Sequence, residues 1–222
     1  MVTTMDRVLG VLAGSDMPTP LLASWARSAD LVLAADGGLD RLLAAGIAPH
    51  HMVGDMDSTQ NEHKLEYLSE HTPFVLHRNA DQNTTDCDKL LALAKDLGAR
   101  TVTLAGVEGD LLDHTLAALH SALKSKLHVR LALRRGVAWV LTGPNDVTVT
   151  TRPGRRVSVV PLGTVDDVDL EGAEWPLADA RLDPRGLTSV SNRAAGPTIR
   201  LRIQSGDALL FVERGSEEPP LW

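Results

Sequence analysis

The hydrophobic pattern of this chain changes character once, near residue 135, and that change limits the possible folds more than any single motif. Before it, short apolar runs alternate with helical periodicity. Strands are expected at Arg7 to Leu12, Leu31 to Ala35, His51 to Gly54, Phe74 to His77 and Thr101 to Ala105. Helical patterns fill the intervals Pro18 to Ser28, Leu39 to Ala45, Glu62 to Glu70, Thr85 to Leu97 and Asp113 to Lys124. Strand–helix alternation with short connections dictates a parallel sheet with helices on its faces. After residue 135 the helical period disappears. Val137 to Leu141, Asp146 to Thr150, Arg156 to Pro161, Thr198 to Ile203 and Leu209 to Val212 read as strands, punctuated by Pro144, Pro153-Gly154, Gly163, Gly172 and Gly206. The expected fold class is therefore α/β plus β: a Rossmann-like domain over residues 1–134 and an antiparallel β-sandwich over 135–222.

Composition removes several function classes. The formal charge is -7, which argues against nucleic-acid binding, because phosphate-backbone contacts need a basic face, and no nucleic-acid partner is expected. No apolar run approaches the length of a membrane span, and the N-terminus lacks a signal-peptide layout. Cys87 is the single cysteine. No intrachain disulfide can form, which suits a reducing cytoplasm.

In parallel α/β sheets, ligands sit at the carboxyl ends of the strands. Here those ends carry Gly14-Ser15-Asp16, Asp36-Gly37-Gly38, Gly54-Asp55-Met56-Asp57-Ser58 and Gly106 to Asp113. Asp55 and Asp57 can both face one hard cation such as magnesium if the chain leaves its strand in a turn. Equally, Asp57 and Ser58 can cap the next helix. Asp81-Gln82-Asn83-Thr84-Thr85-Asp86-Cys87-Asp88 opens a helix whose free N–H groups suit phosphate. An acidic helix start is commonly structural, yet three aspartates this close repel unless something neutralises them. Asp36-Gly37-Gly38 forms either an anion-binding turn or a plain one. Asp113 caps its helix or lines a site beside His114. Neither a Walker A loop nor GxGxxG is present. In the second half, Ser189-Val190-Ser191-Asn192 places polar side chains at a strand, and Trp175 either stacks on a flat ring or packs in a core.

Taken in order, AADGG (Ala34 to Gly38), GDMDS (Gly54 to Ser58), DQNTTD (Asp81 to Asp86), LDHTLA (Leu112 to Ala117), PG with SVVPL (Pro153 to Leu162), GAEWPL (Gly172 to Leu177) and SVSN (Ser189 to Asn192) resemble the thiamine pyrophosphokinase family. The resemblance implies attack by the thiamine hydroxyl on the β-phosphorus of ATP, giving thiamine diphosphate and AMP. It implies a homodimer with sites at the subunit interface. By position it implies that Asp55, Asp57 and Asp86 bind magnesium and carry catalysis, and that Asp36, Gly37, Gly38, Ser58, Thr85, Asp113 and His114 line the nucleotide cleft. Gln82, Trp175, Ser189, Ser191 and Asn192 match positions near the thiamine rings. One departure stands out: where the family reads GGRxDH, this chain reads Gly109-Asp110-Leu111-Leu112-Asp113-His114. The arginine is Leu111, and Arg78, Lys89 or Arg193 is available in its place. Two other readings remain open at this point: a diphosphokinase for another hydroxymethyl heterocycle such as a pterin, and a non-catalytic thiamine or nucleotide sensor.

Overall fold

The computed structural model describes residues 6–55, 74–215 and 217–222. The expected helix at Glu62 to Glu70, and the site candidates Asp57 and Ser58, lie outside the described residues. Residue contacts divide the chain into two compact units, Met1–Arg134 with Pro219–Trp222, and Arg135–Glu218.

The first unit alternates as expected. It runs β1 (Val8–Val11), α1 (Thr19–Ser28), β2 (Leu31–Ala35), α2 (Asp36–Ala44), β3 (His51–Gly54), β4 (Val75–Arg78), α3 (Asp86–Asp96), β5 (Thr101–Ala105), α4 (Leu112–Ser125) and β6 (His128–Leu133). The sheet order is β6-β5-β1-β2-β3-β4, and every pairing in it is parallel. Strands β1 and β2 are buried along their whole length, as strands covered on both faces must be. The order reverses direction beside β1, so the loops after β1 and β5 diverge around a crevice. Gly10 sits where a Cβ would press into Leu90 of α3 and Leu104 of β5, so that helix packs directly onto the sheet backbone. The C-terminal tail is fastened by its last residue: the Trp222 ring meets Trp25 edge-on at 5.0 Å, and its Nε1 donates to Ser28 Oγ at 3.2 Å.

Two local expectations need correction. Asp36-Gly37-Gly38, read as a turn before a helix at Leu39, is instead the first turn of α2. A Cβ at Gly38 would overlap the carbonyl of Val11, and one at Gly37 would crowd Ala13. The glycines thus let the helix start directly under the β1 loop. Strand β6, not anticipated from the sequence, follows α4 after Lys126, whose backbone is left-handed with φ 59°.

The second unit contains β7 (Gly136–Thr142), β8 (Asn145–Thr150), β9 (Arg156–Pro161), β10 (Val165–Glu171), β11 (Leu177–Leu182), β12 (Ser189–Arg193), β13 (Thr198–Ile203) and β14 (Asp207–Glu213). These form the antiparallel groups β12-β9-β14-β7 and β11-β10-β13-β8, a β-sandwich. Strand β13 alternates exposed and buried residues without a break. Ile199, Leu201 and Ile203 enter the core. On the other face, Arg200 bridges to Asp146 at 2.7 Å and Arg202 to Asp169.

Leu90 is fully buried between α3 and the sheet. Leu90→Ala is expected to cost about 2–5 kcal/mol of unfolding free energy in urea. Leu116→Ala, on a side chain that is 47% exposed, is expected to change it by less than about 0.5 kcal/mol.

Candidate active site

The crevice predicted by the strand order is a cavity of about 300 Å³ within the first unit. The β1 and β5 loops form its floor, clasped by Leu12 N–H to the Ala105 carbonyl at 2.9 Å and Gly14 N–H to the Gly106 carbonyl at 2.8 Å. A Cβ on Gly14 would collide with the carbonyls of Gly106 and Glu108, so the clasp requires glycine there. Arg41 of α2 holds the same loop by donating to the carbonyls of Gly14 and Met17.

Asp55, Gln82, Thr84, Thr85, Asp86, Lys89, Asp110 and His114 line the walls. Asp36 lies just behind. Its carboxylate accepts from the Asp55 backbone N–H, and burial pushes it up to about 6, with the charges of Asp86 and then Asp55 adding to the effect. Its Oδ1 is buried without a hydrogen-bond partner among the described residues. A Cβ at Gly54 would overlap that oxygen, so the glycine makes room for the carboxylate. Three segments far apart in sequence therefore bring Asp36, Asp55 and Asp86 within electrostatic reach of each other. Gln82 Nε2 donates to Asp55 Oδ2 at 3.2 Å and orients it.

The aspartate crowding between residues 81 and 88 resolves differently from the mutual repulsion inferred above. Asp81 Oδ1 accepts from the Asn83 N–H at 2.9 Å and closes a local turn. Asp88 completes a capping box with Thr85: each accepts from the other's backbone N–H at 3.1 Å. Lys124 adds an ion pair to Asp88 at 3.0 Å. Asp81 and Asp88 thus meet nearby donors, and Asp86 lines the cavity. Thr85 lines the wall, but its hydroxyl is committed to Asp88 and Ser121. Gly37, Gly38 and Asp113 are not among the lining residues, and Asp113 is exposed on the first turn of α4.

Two lining residues carry more than the sequence disclosed. Lys89 is a buried lysine, 5% exposed. Its nearest recorded carboxylate oxygen among the described residues is Asp86 Oδ1 at 3.9 Å, too far for a hydrogen bond. Its position one helical turn after Asp86 was the available signal. Asp110, which stands where the family has glycine, holds His114 Nδ1 at 2.6 Å. That bond raises the His114 pKa and lowers that of Asp110. Cys87 is buried, and burial pushes its thiol up to about 12, so it is a packing residue rather than a nucleophile.

The remaining candidates lie in the second unit. Asn192 is buried and brackets the Trp175 backbone: its Nδ2 donates to the Trp175 carbonyl at 2.6 Å and its Oδ1 accepts from the Trp175 N–H at 3.2 Å. Ser189 Oγ accepts from Asn192 Nδ2 at 3.4 Å. The Trp175 side chain is left 61% exposed, which places it on the surface rather than in the core. Ser191 adopts a left-handed backbone, φ 64°, at the irregularity in the β12–β9 register.

Comparisons with known proteins bear on the family and the fold. The model of the thiamin pyrophosphokinase catalytic domain matches residues 22–133, and that of the thiamin pyrophosphokinase vitamin B1 binding domain matches residues 145–209. Thiamine pyrophosphokinase of Bacillus subtilis strain 168 is 23% identical over 192 residues, 84% of this chain and 89% of that protein. The crystal structure of thiamin pyrophosphokinase from Geobacillus thermodenitrificans superposes with TM-score 0.78 at 22% identity, covering 95% of this chain and 99% of the other. That from Candida albicans superposes with TM-score 0.77 at 15% identity, covering 95% and 90%.

The raised Asp36 pKa has a stability consequence. An unfolded aspartate loses its proton near pH 3.9, whereas folded Asp36 keeps its proton to about 6. Across that window the folded chain binds more protons, so stability falls as pH rises and then levels off above it. In the presence of a chelator, Asp36→Asn is expected to melt higher than the native chain above pH 6. The difference should shrink towards pH 4, read by thermal melting across a pH series.

Proposed function

Because the chain belongs to the thiamin pyrophosphokinase family, we propose that it transfers the diphosphate of ATP to the hydroxyl of thiamine, releasing AMP. The observation that carries this reading is the convergence of Asp36, Asp55 and Asp86 beside one cavity at the carboxyl ends of a parallel sheet. Such a cluster is poorly tolerated unless positive charge accompanies the ligand, and a polyphosphate with its cation supplies that.

Magnesium fits this donor set. The ligands are hard oxygens, and Asp36 Oδ1 is a buried oxygen without a hydrogen-bond partner among the described residues. Among the described residues no three His, Cys, Asp or Glu side chains close on one point. Magnesium needs only one or two carboxylates, the rest of its shell being phosphate oxygens and water. We assign Asp55 and Asp86 to hold it, with Asp57 by its position in the family motif. Bound there, the ion would neutralise polyphosphate charge as AMP departs.

The chain's own groups then position the reactants. Lys89 offers a buried ammonium to the phosphate oxygens, in place of the arginine that the family carries at Leu111. The N-terminus of α3 adds its free N–H groups, and Gln82 fixes the rotamer of Asp55. The thiamine hydroxyl attacks the β-phosphorus, and the bond from that phosphorus to the oxygen of the α-phosphate breaks. For thiamine, we assign the exposed ring of Trp175 as the stacking surface, with Ser189, Ser191 and Asn192 beside it, and two copies of the chain sharing each site. Among the described residues no helix is long and apolar enough to cross a membrane. We place the reaction in the cytoplasm, where Cys87 stays reduced.

Purified protein with ATP, magnesium and thiamine is expected to release AMP and thiamine diphosphate. Asp55→Asn and Asp86→Asn should each lower kcat at least roughly a hundredfold with the melting temperature retained. Lys89→Met should raise KM for ATP about tenfold or more, the worth of one charged hydrogen bond. Faster AMP release with a pterin alcohol would overturn the substrate assignment. Binding of both ligands without AMP release would establish the sensor instead.

A further inference from the structure

Strand β4 is the edge of the first unit's sheet, and none of its four residues is fully buried. Apolar burial therefore contributes little to holding it, and polar contacts matter more. At its two ends, Val75 N–H donates to the His50 carbonyl and Asn79 N–H to the Gly54 carbonyl, both at 2.9 Å. A side-chain bond reinforces this ladder. His51 Nδ1 and His77 Nε2 lie 3.0 Å apart, with ring centroids at 5.2 Å and planes tilted by 31°. His51 pairs with Val75 and Val53 with His77, so the two rings share one face of the sheet as diagonal neighbours.

This bond depends on protonation. One ring must donate and the other accept, so at most one of them can be charged. Two imidazolium rings at this distance have no acceptor between them and repel. Burial first, then His77 and His50, lowers the His51 pKa below its ordinary value. His50 carries the same condition, because its Nδ1 accepts the Val32 N–H at 2.9 Å, which a protonated nitrogen cannot do. Other charges on this face are engaged elsewhere or exposed. Gly10, Leu33 and His51 are register partners, and a Cβ at Gly10 would meet Leu90, so α3 covers this side. Its Asp86 pairs with Lys89 and its Asp88 with Lys124, while Lys95 and Asp96 are exposed. Arg78, next to His77 in β4, points to the opposite face. Among the described residues no carboxylate lies within ion-pair distance of His51 or His77.

Beyond β4 the chain enters the cavity wall. Asn79 Oδ1 accepts the Asp81 N–H at 3.0 Å, and Gln82, which follows, donates to Asp55. We propose that His51 and His77 form an acid-sensitive latch that fastens β4, and with it the Gln82 side of the cavity, to the sheet. A second proton on the pair removes the only acceptor of their shared bond and leaves two like charges in contact. The sign follows from the unfolded value of about 6.5. The folded pair takes up its protons at lower pH than the unfolded chain does, so the latch is closed above that value and opens as pH falls below it.

The test is amide hydrogen exchange on the full chain with chelator, at pH 7.5 and pH 5.0, corrected for the intrinsic exchange rate. In the native chain the protection of the Val75 and Asn79 amides is expected to fall about tenfold or more at the lower pH, the worth of one hydrogen bond and a contact repulsion. The amides of β13 should keep theirs. His51→Gln and His77→Gln, made separately, each leave a side chain that can hydrogen-bond but not titrate, and should retain most of the β4 protection at pH 5.0. By NMR the two native rings should titrate in two coupled steps, and the histidine left in either variant in one. Native β4 protection that does not change with pH overturns the proposal. So does an acid loss as large in both variants as in the native chain, or independent titration of the two native rings. The readout needs no substrate, so it separates the latch from the proposed reaction.

Discussion

A half-buried carboxylate organises the first unit. Asp36 occupies the first turn of α2, where the helix N-terminus favours a negative charge. Burial and the neighbouring acids oppose that charge and push the group up to about 6. Its position is forced from three sides. Gly37 and Gly38 let α2 begin beneath the β1 loop, and Gly54 leaves the space that the carboxylate fills. The Asp55 N–H fixes one side of the group, while Oδ1 has no hydrogen-bond partner among the described residues. The same short stretch of β3 therefore supplies the void, the backbone donor and the next acid.

Much of this was legible in the sequence because strand ends have a recognisable composition. Gly-Asp pairs after apolar runs marked the end of the sheet that carries the cavity, and Asp55 and Asp86 do line it. What misled was local density. Three aspartates between residues 81 and 88 suggested mutual repulsion, but Asp81 and Asp88 each meet nearby N–H groups. A sequence lists acids without showing which backbone donors face them. Asp36-Gly37-Gly38 misled for the reverse reason. Two glycines usually break a helix, and here they permit one, because the pressure for small residues comes from Val11 and Ala13 in another segment.

The strands missed in the second unit have a similar explanation. Strand β10 reads VDDVDLE, in which the buried Val165 and Val168 are three residues apart and so break a strict two-residue alternation. The register shifts between them, and Asp167 takes a left-handed backbone, φ 53°. A bulge inserts one residue and hides the strand from any periodicity argument. Strand β11, at the edge of its sheet, is mostly exposed, so it lacks the apolar face that would reveal it. By contrast β9, paired without a break to β14, and β13, paired without a break to β8, were read with their observed boundaries.

The departure at Leu111 bears on how charge is balanced across the protein. Leu111 is 60% exposed, and Asp110 beside it is occupied by His114. That loop therefore contributes an acid already bonded to its own histidine where a polyphosphate needs positive charge. The cations that remain are placed differently: Lys89 is buried on the cavity wall, while Arg156 and Arg193 face a cavity of the other unit. A lysine in an acidic pocket is a point charge without a planar fork. It can neutralise phosphate but cannot fix its orientation as paired N–H donors do. On this distribution of charge, the proposed reaction would draw on Lys89 and the proposed cation to neutralise the nucleotide.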